Sequence, residues 1–156
     1  MMRAKIGTAG TLLWVGAMLT VWAGGVVNAS AGELKLQTQL VWGTDDTKPP
    51  EGKDYKPVEP AIQKKLQELP LKWKNYFEVR RTNFSVTATV PKKVPLSEKC
   101  ELNVLSQNNE VVEVALIGKG KEVVKRTQAM PKGEILVLGG NAPNASAWLV
   151  ILRRIE

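Results

Sequence analysis

Catalysis needs a nucleophile, a base or a metal ligand, and this chain is poor in all three. It contains no histidine and a single cysteine, Cys100. Without imidazole there is no Ser-His-Asp or Cys-His chemistry and no His-ligated zinc, and one thiol supports neither a Cys-rich zinc site nor an internal disulfide. Cys100 sits among alternating residues and is expected to pack as a small hydrophobe. Asp45, Asp46, Glu51 and Asp54 offer oxygen ligands for Ca²⁺, but their spacing is not that of an EF-hand loop, and Lys48 and Lys53 dilute the charge. A solvated acidic loop is the expectation there.

Ser97 and Lys99 have the residue types of a Ser–Lys dyad. They fall in a polar turn, where nothing desolvates the lysine. Gly118-Lys119-Gly120-Lys121 resembles part of a phosphate-binding loop. That chemistry needs a helix N-terminus aimed at the phosphate, and the residues that follow have strand character instead. The 15 acidic residues are spread over turns and outward strand positions, so no two of them stand out as a glycosidase pair. Asn83-Phe84-Ser85 and Asn144-Ala145-Ser146 match the glycosylation pattern, which matters only in a eukaryotic secretory pathway. No catalytic, cofactor-binding or metal-binding residue is nominated.

Contact chemistry is the other option. Trp42, Trp73 and Trp148 could stack on sugars if exposed, but each shares parity with aliphatic neighbours, so core packing is expected. Lys72, Lys74, Tyr76 and Arg80 share the opposite parity and form the candidate exposed contact surface. An ordinary solvated strand face is the competing reading.

The elements that would carry these side chains are mostly strands. Leu34, Leu36, Leu40 and Trp42 alternate with Lys35, Gln37 and Gln39, the period of a half-buried strand. A Pro/Gly-rich loop runs from Gly43 to Pro57. Pro60 starts the one helix candidate, with Ile62, Leu66 and Leu69 on one stripe and Pro70 ending it. From Leu71 the period returns to two: Trp73, Phe77 and Val79, then Phe84 to Val90, then Cys100, Leu102 and Val104. Pro91 and Pro95 bracket a break, and Gly118-Lys119-Gly120 reads as a hairpin turn. Ile135–Leu138 and Trp148–Leu152 are apolar on both parities, as expected of central strands covered on both faces.

About eight short strands suggest a small antiparallel β-sandwich, with an immunoglobulin-like arrangement as first model. The Cys…Trp…Cys signature of true immunoglobulin domains is missing. A small α+β fold with the helix packed on one sheet is the alternative.

The first residues address the chain. Arg3 and Lys5 precede a stretch free of charge from Ile6 to Gly32, ending in Ala29-Ser30-Ala31. This is the pattern of a signal peptide over residues 1–31, with Ala29 and Ala31 in the peptidase pocket and the cut before Gly32. An uncleaved anchor is the alternative, and both place residues 32–156, a single β-rich domain, outside the cytoplasm. The chain carries a formal charge of +7, and losing Arg3 and Lys5 leaves it basic. In an exported protein this points to an acidic envelope protein, an anionic polymer or lipid headgroups rather than nucleic acid, with solubility alone as the preferred competing reading and the membrane otherwise touched only through an uncut N-terminus. The expected function is therefore a non-enzymatic exported interaction or structural module of the envelope or secreted fraction. A small carbohydrate-binding or hydrolase domain is the alternative.

Overall fold

The computed structural model describes residues 32–141 and 146–156. The signal or anchor segment, with Ala29 and Ala31, lies outside the described residues. Gly32 lies inside them, and its backbone N–H donates to Asn109 Oδ1 at 3.0 Å.

The chain is mainly β, in two antiparallel sheets with one short helix and no closed barrel. Its elements are β1 (Leu34–Thr44), β2 (Lys56–Pro57), α1 (Pro60–Gln67), β3 (Asn75–Val86), β4 (Lys92–Ser97), β5 (Cys100–Ser106), β6 (Val111–Gly118), β7 (Lys121–Ala129), β8 (Ile135–Asn141) and β9 (Ala147–Arg154). A five-stranded sheet has the order β2-β3-β1-β9-β8, and a four-stranded sheet has the order β4-β5-β6-β7. Apart from the short β2, every hydrogen-bonded neighbour within a sheet is also the next strand in sequence, and β9 returns to pair with β1. The chain crosses between sheets twice, from β3 to β4 through a turn bridged by Thr87 and Val90, and from β7 to β8.

This order corrects the immunoglobulin-like expectation. That arrangement depends on Greek-key connections, whereas here strands joined in sequence stay side by side, an up-and-down meander opened along two seams. Strand count and turn spacing are the same in both, so only the pairing separates them. Pro95 is a second correction: it lies within β4 rather than in a break. β4 is an edge strand, where a residue without an N–H is tolerated.

Two apolar cores result. The first lies between the sheets and joins Leu34, Leu36, Leu40, Val150 and Leu152 to Leu102, Val104, Val112 and Val114. Met130, fully buried in the β7–β8 connection, belongs to it. The second lies on the other face of the five-stranded sheet, where Ile62 and Leu66 of α1 pack on Val41, Tyr76, Leu149 and Ile151. β9 is therefore covered on both faces, which is why its apolar residues fall on both parities.

The start of α1 is fixed by charge. Glu59 receives Arg153 Nη1 at 3.1 Å and pairs with Arg81, which also pairs with Glu78. Arg153 Nε donates to Gln37 Oε1 at 2.8 Å. Burial alone would push the Glu59 carboxyl up, but hydrogen bonds from Arg81 and Arg153 outweigh it and hold the group below its usual range. Gln37 and Gln39, expected to face water, are buried beneath this cluster, and Gln39 donates to Gln37 at 3.0 Å.

Candidate functional site

The candidate contact surface does not assemble. Lys72 and Lys74 are exposed but precede β3, in irregular chain. Tyr76 is 2% exposed, and its hydroxyl donates to the Trp73 carbonyl at 2.9 Å. Its ring crosses the strand pair to lie on Gly43, where a Cβ would stand 3.3 Å from Tyr76 Cε1. Burial pushes the phenol above its usual range, and the charge of Asp45 adds to this. Arg80 is exposed, but the β1–β3 register skips Val79 between Leu40 and Val41. A bulge points neighbouring residues to one side, so Arg80 and Tyr76 end on opposite faces.

The other nominated chemistry is accounted for locally. Asp45 Oδ1 accepts the Lys74 N–H at 3.2 Å, and the Asp46 N–H donates to Thr44 Oγ1 at 3.1 Å, so both brace the loop. The Ser97 hydroxyl accepts the Lys99 backbone N–H at 3.3 Å. Among the described residues no group of three or more Cys, Asp or Glu side chains is placed to hold a metal ion. No helix among them is long and apolar enough to cross a membrane.

Residues of both sheets line an opening at the end where the β4–β5 and β6–β7 turns stand. Three register shifts fall in that half of the strands: opposite Leu40/Val41, at Pro95/Ser97, and at Leu116/Ile117. Each bulge bends its strand and increases local twist. The extra residue in β7 is Val123, skipped between Glu122 and Val124. Val124 packs on the inter-sheet core, while Val123 is 63% exposed and lines the opening beside it.

The opening is a cleft of about 700 Å³. Leu40, Leu116, Val123, Val150 and Trp148 form its walls, and Cys100 faces into it. Trp148 is 38% exposed and meets Trp42 edge-on, with ring centroids 4.6 Å apart. Burial pushes the Cys100 thiol up from its usual range, with Glu101 adding to this. The rim carries Ser97, Glu98, Lys99 and Lys119. The two turns are tied together, since the Lys119 N–H donates to the Lys99 carbonyl at 2.8 Å.

This site was invisible to sequence parity. Trp148 shares parity with Val150 and Leu152, and was expected in the core with them. It projects to the same side but stands one residue from the start of β9, at the cleft. A depression of about 620 Å³ on the outer side of the same turns is lined mainly by exposed turn residues. A third groove, of about 360 Å³, runs between Leu69, Leu71, Val137 and Leu149. Neither presents an exposed aromatic ring.

Comparison of the chain with protein-family models, curated proteins and solved structures finds no match.

Proposed function

We propose that this chain is an exported, non-catalytic binding module, and that the cleft between its sheets takes a small apolar ligand. In this reading the paired sheets form a β-sandwich whose strands follow a meander, with one end left open. The observation that carries it is Trp148, more than a third exposed among aliphatic walls. Trp148 and the exposed Val123 line the same opening, and a contiguous apolar mouth of this kind supports a binding site more than two isolated surface residues would. The cleft volume falls in the range of small-molecule sites, roughly 300–1,000 Å³. Export rests on the basic, apolar and small-residue order of residues 1–31, with a periplasmic or secreted destination, or a membrane-anchored one if the segment stays.

Sugar binding is the alternative with an observation in its favour, the same exposed indole. The aliphatic neighbours of Trp148 favour an apolar ligand. A protein or anionic-polymer partner remains the reading for the sheet edges, but Lys72, Lys74 and Arg80 are not gathered into one surface for it.

The test is titration with N-phenyl-1-naphthylamine, a neutral apolar dye, followed by its fluorescence. The folded protein is expected to bind it saturably, one per chain, and Val123→Glu and Trp148→Ala are expected to weaken binding. Absence of saturable binding, or binding indifferent to both changes, overturns the reading. Mass spectrometry of the exported chain is expected to place its N-terminus at Gly32.

A further inference from the structure

Resting on that reading, we infer that the ligand of the cleft is a single-chain amphiphile with an anionic head, its tail against Trp148 and its head at Lys99 and Lys119. The walls define the tail: Leu40, Leu116, Val123 and Val150 offer no hydrogen bonds from their side chains. The rim defines the head. Lys99 and Lys119 stand on turns joined by a backbone hydrogen bond, and neither is in an ion pair among the described residues. Glu98 shares the rim, so two cations face one anion there.

Lys119 is also the one non-glycine residue with positive φ among the described residues, at 50°. It occupies the first position of a two-residue hairpin turn, where asparagine or glycine is favoured. A lysine held in this disfavoured conformation at the mouth of a cleft fits a residue kept for its ammonium group. Bulk is controlled nearby, since a Cβ on Gly118 would come within 2.9 Å of Val123 Cγ2.

Cys100, the only cysteine of the chain, lines both the cleft and the outer depression beside it, so its protection reports the cleft only where Val123→Glu, which touches the cleft and not the depression, also weakens it. The experiment follows its alkylation by N-ethylmaleimide in the chain as the cell makes it, with dodecanoate, dodecanol or dodecyltrimethylammonium added below micelle concentrations. Dodecanoate is expected to slow alkylation saturably, dodecanol less, and the cationic amphiphile least. Lys99→Glu with Lys119→Glu is expected to weaken dodecanoate protection roughly tenfold, two rim ion pairs' worth, and to strengthen protection by the cationic amphiphile. Lys119→Asn, which suits the turn, is expected to weaken dodecanoate alone. Equal protection by all three amphiphiles overturns the inference and leaves the apolar-ligand reading standing. No protection by any, together with no dye binding, overturns both. Alkylation that slows with protein concentration alone assigns the cleft to a second copy and overturns the inference.

Discussion

Replacing Tyr76 tests the placement of α1 and the second core together. The Tyr76 ring is 2% exposed, lies on Gly43 and packs with Ile62 and Leu66 in one cluster. Tyr76→Phe keeps the ring and removes only the hydrogen bond to the Trp73 carbonyl, a loss of about 1 kcal/mol. Tyr76→Ala removes the ring from a packed site and is expected to cost about 3–5 kcal/mol. With a urea slope of about 2 kcal/mol per molar, the Phe variant should lower the midpoint by about 0.5 M and the Ala variant by about 1.5–2.5 M.

Alkali adds an independent reading. The folded-state phenol is raised above its usual value by burial and by Asp45. On raising pH past about 10, the ordinary tyrosine value, the unfolded chain loses this proton first while the folded chain still holds it. Stability therefore falls as pH climbs above that value, and the loss levels off once the folded-state group also ionises. Tyr76→Phe is expected to flatten this part of the alkaline limb. An Ala variant costing under about 1 kcal/mol, with the alkaline limb unchanged in the Phe variant, would place the ring in water and refute the packing of α1.

Other expected outcomes follow the same logic. Leu66→Ala and Leu102→Ala are each expected to cost about 2–5 kcal/mol. They sit in separate cores, so the double variant should equal the sum within about 0.5 kcal/mol by urea unfolding. Gly120 has φ 76°, and Gly120→Ala is expected to lose about 1 kcal/mol, while Lys119→Asn should gain roughly 0.5–1 kcal/mol in thermal or urea unfolding. Glu59 is partly exposed, so Glu59→Gln should cost only roughly 0.5–1 kcal/mol at neutral pH. Because its folded-state value is depressed, that contribution is present above the usual carboxylate range and lost as pH falls through the folded-state value; the variant is expected to show a shallower acid limb.

The regular parts of the fold were legible because local patterns decide them. The Pro60 start and the Ile62–Leu66 stripe place the helix, which ends at Gln67, close to the expected stop. The Gly118-Lys119-Gly120 turn is where its glycines put it, between β6 and β7. Parity failed wherever the chain left regular pairing. Tyr76 does alternate with Phe77, but α1 covers the face it points to, and Trp73, in irregular chain, joins it there instead of facing the other way. The bulge at Val79 then reversed Arg80. Gln37 and Gln39 do point away from the inter-sheet core, but Glu59, Arg81 and Arg153, distant in sequence, cover that face.

The cleft had no sequence signal of its own. It is lined by residues of both sheets far apart in sequence, and an extra valine in Val123-Val124 reads as any strand would. Trp148, Lys119 and Cys100 come from three separate strands or turns, and only the pairing brings them to one opening.

The central claim is that this opening admits an apolar chain. Intermolecular NOEs between isotope-labelled protein and unlabelled dodecanoate test it most directly. Contacts from the alkyl protons to the methyls of Leu40, Leu116, Val123 and Val150 and to the Trp148 indole are the expected result. Contacts confined to Leu69, Leu71 and Val137, or no contacts with a folded protein at saturating amphiphile, would contradict it.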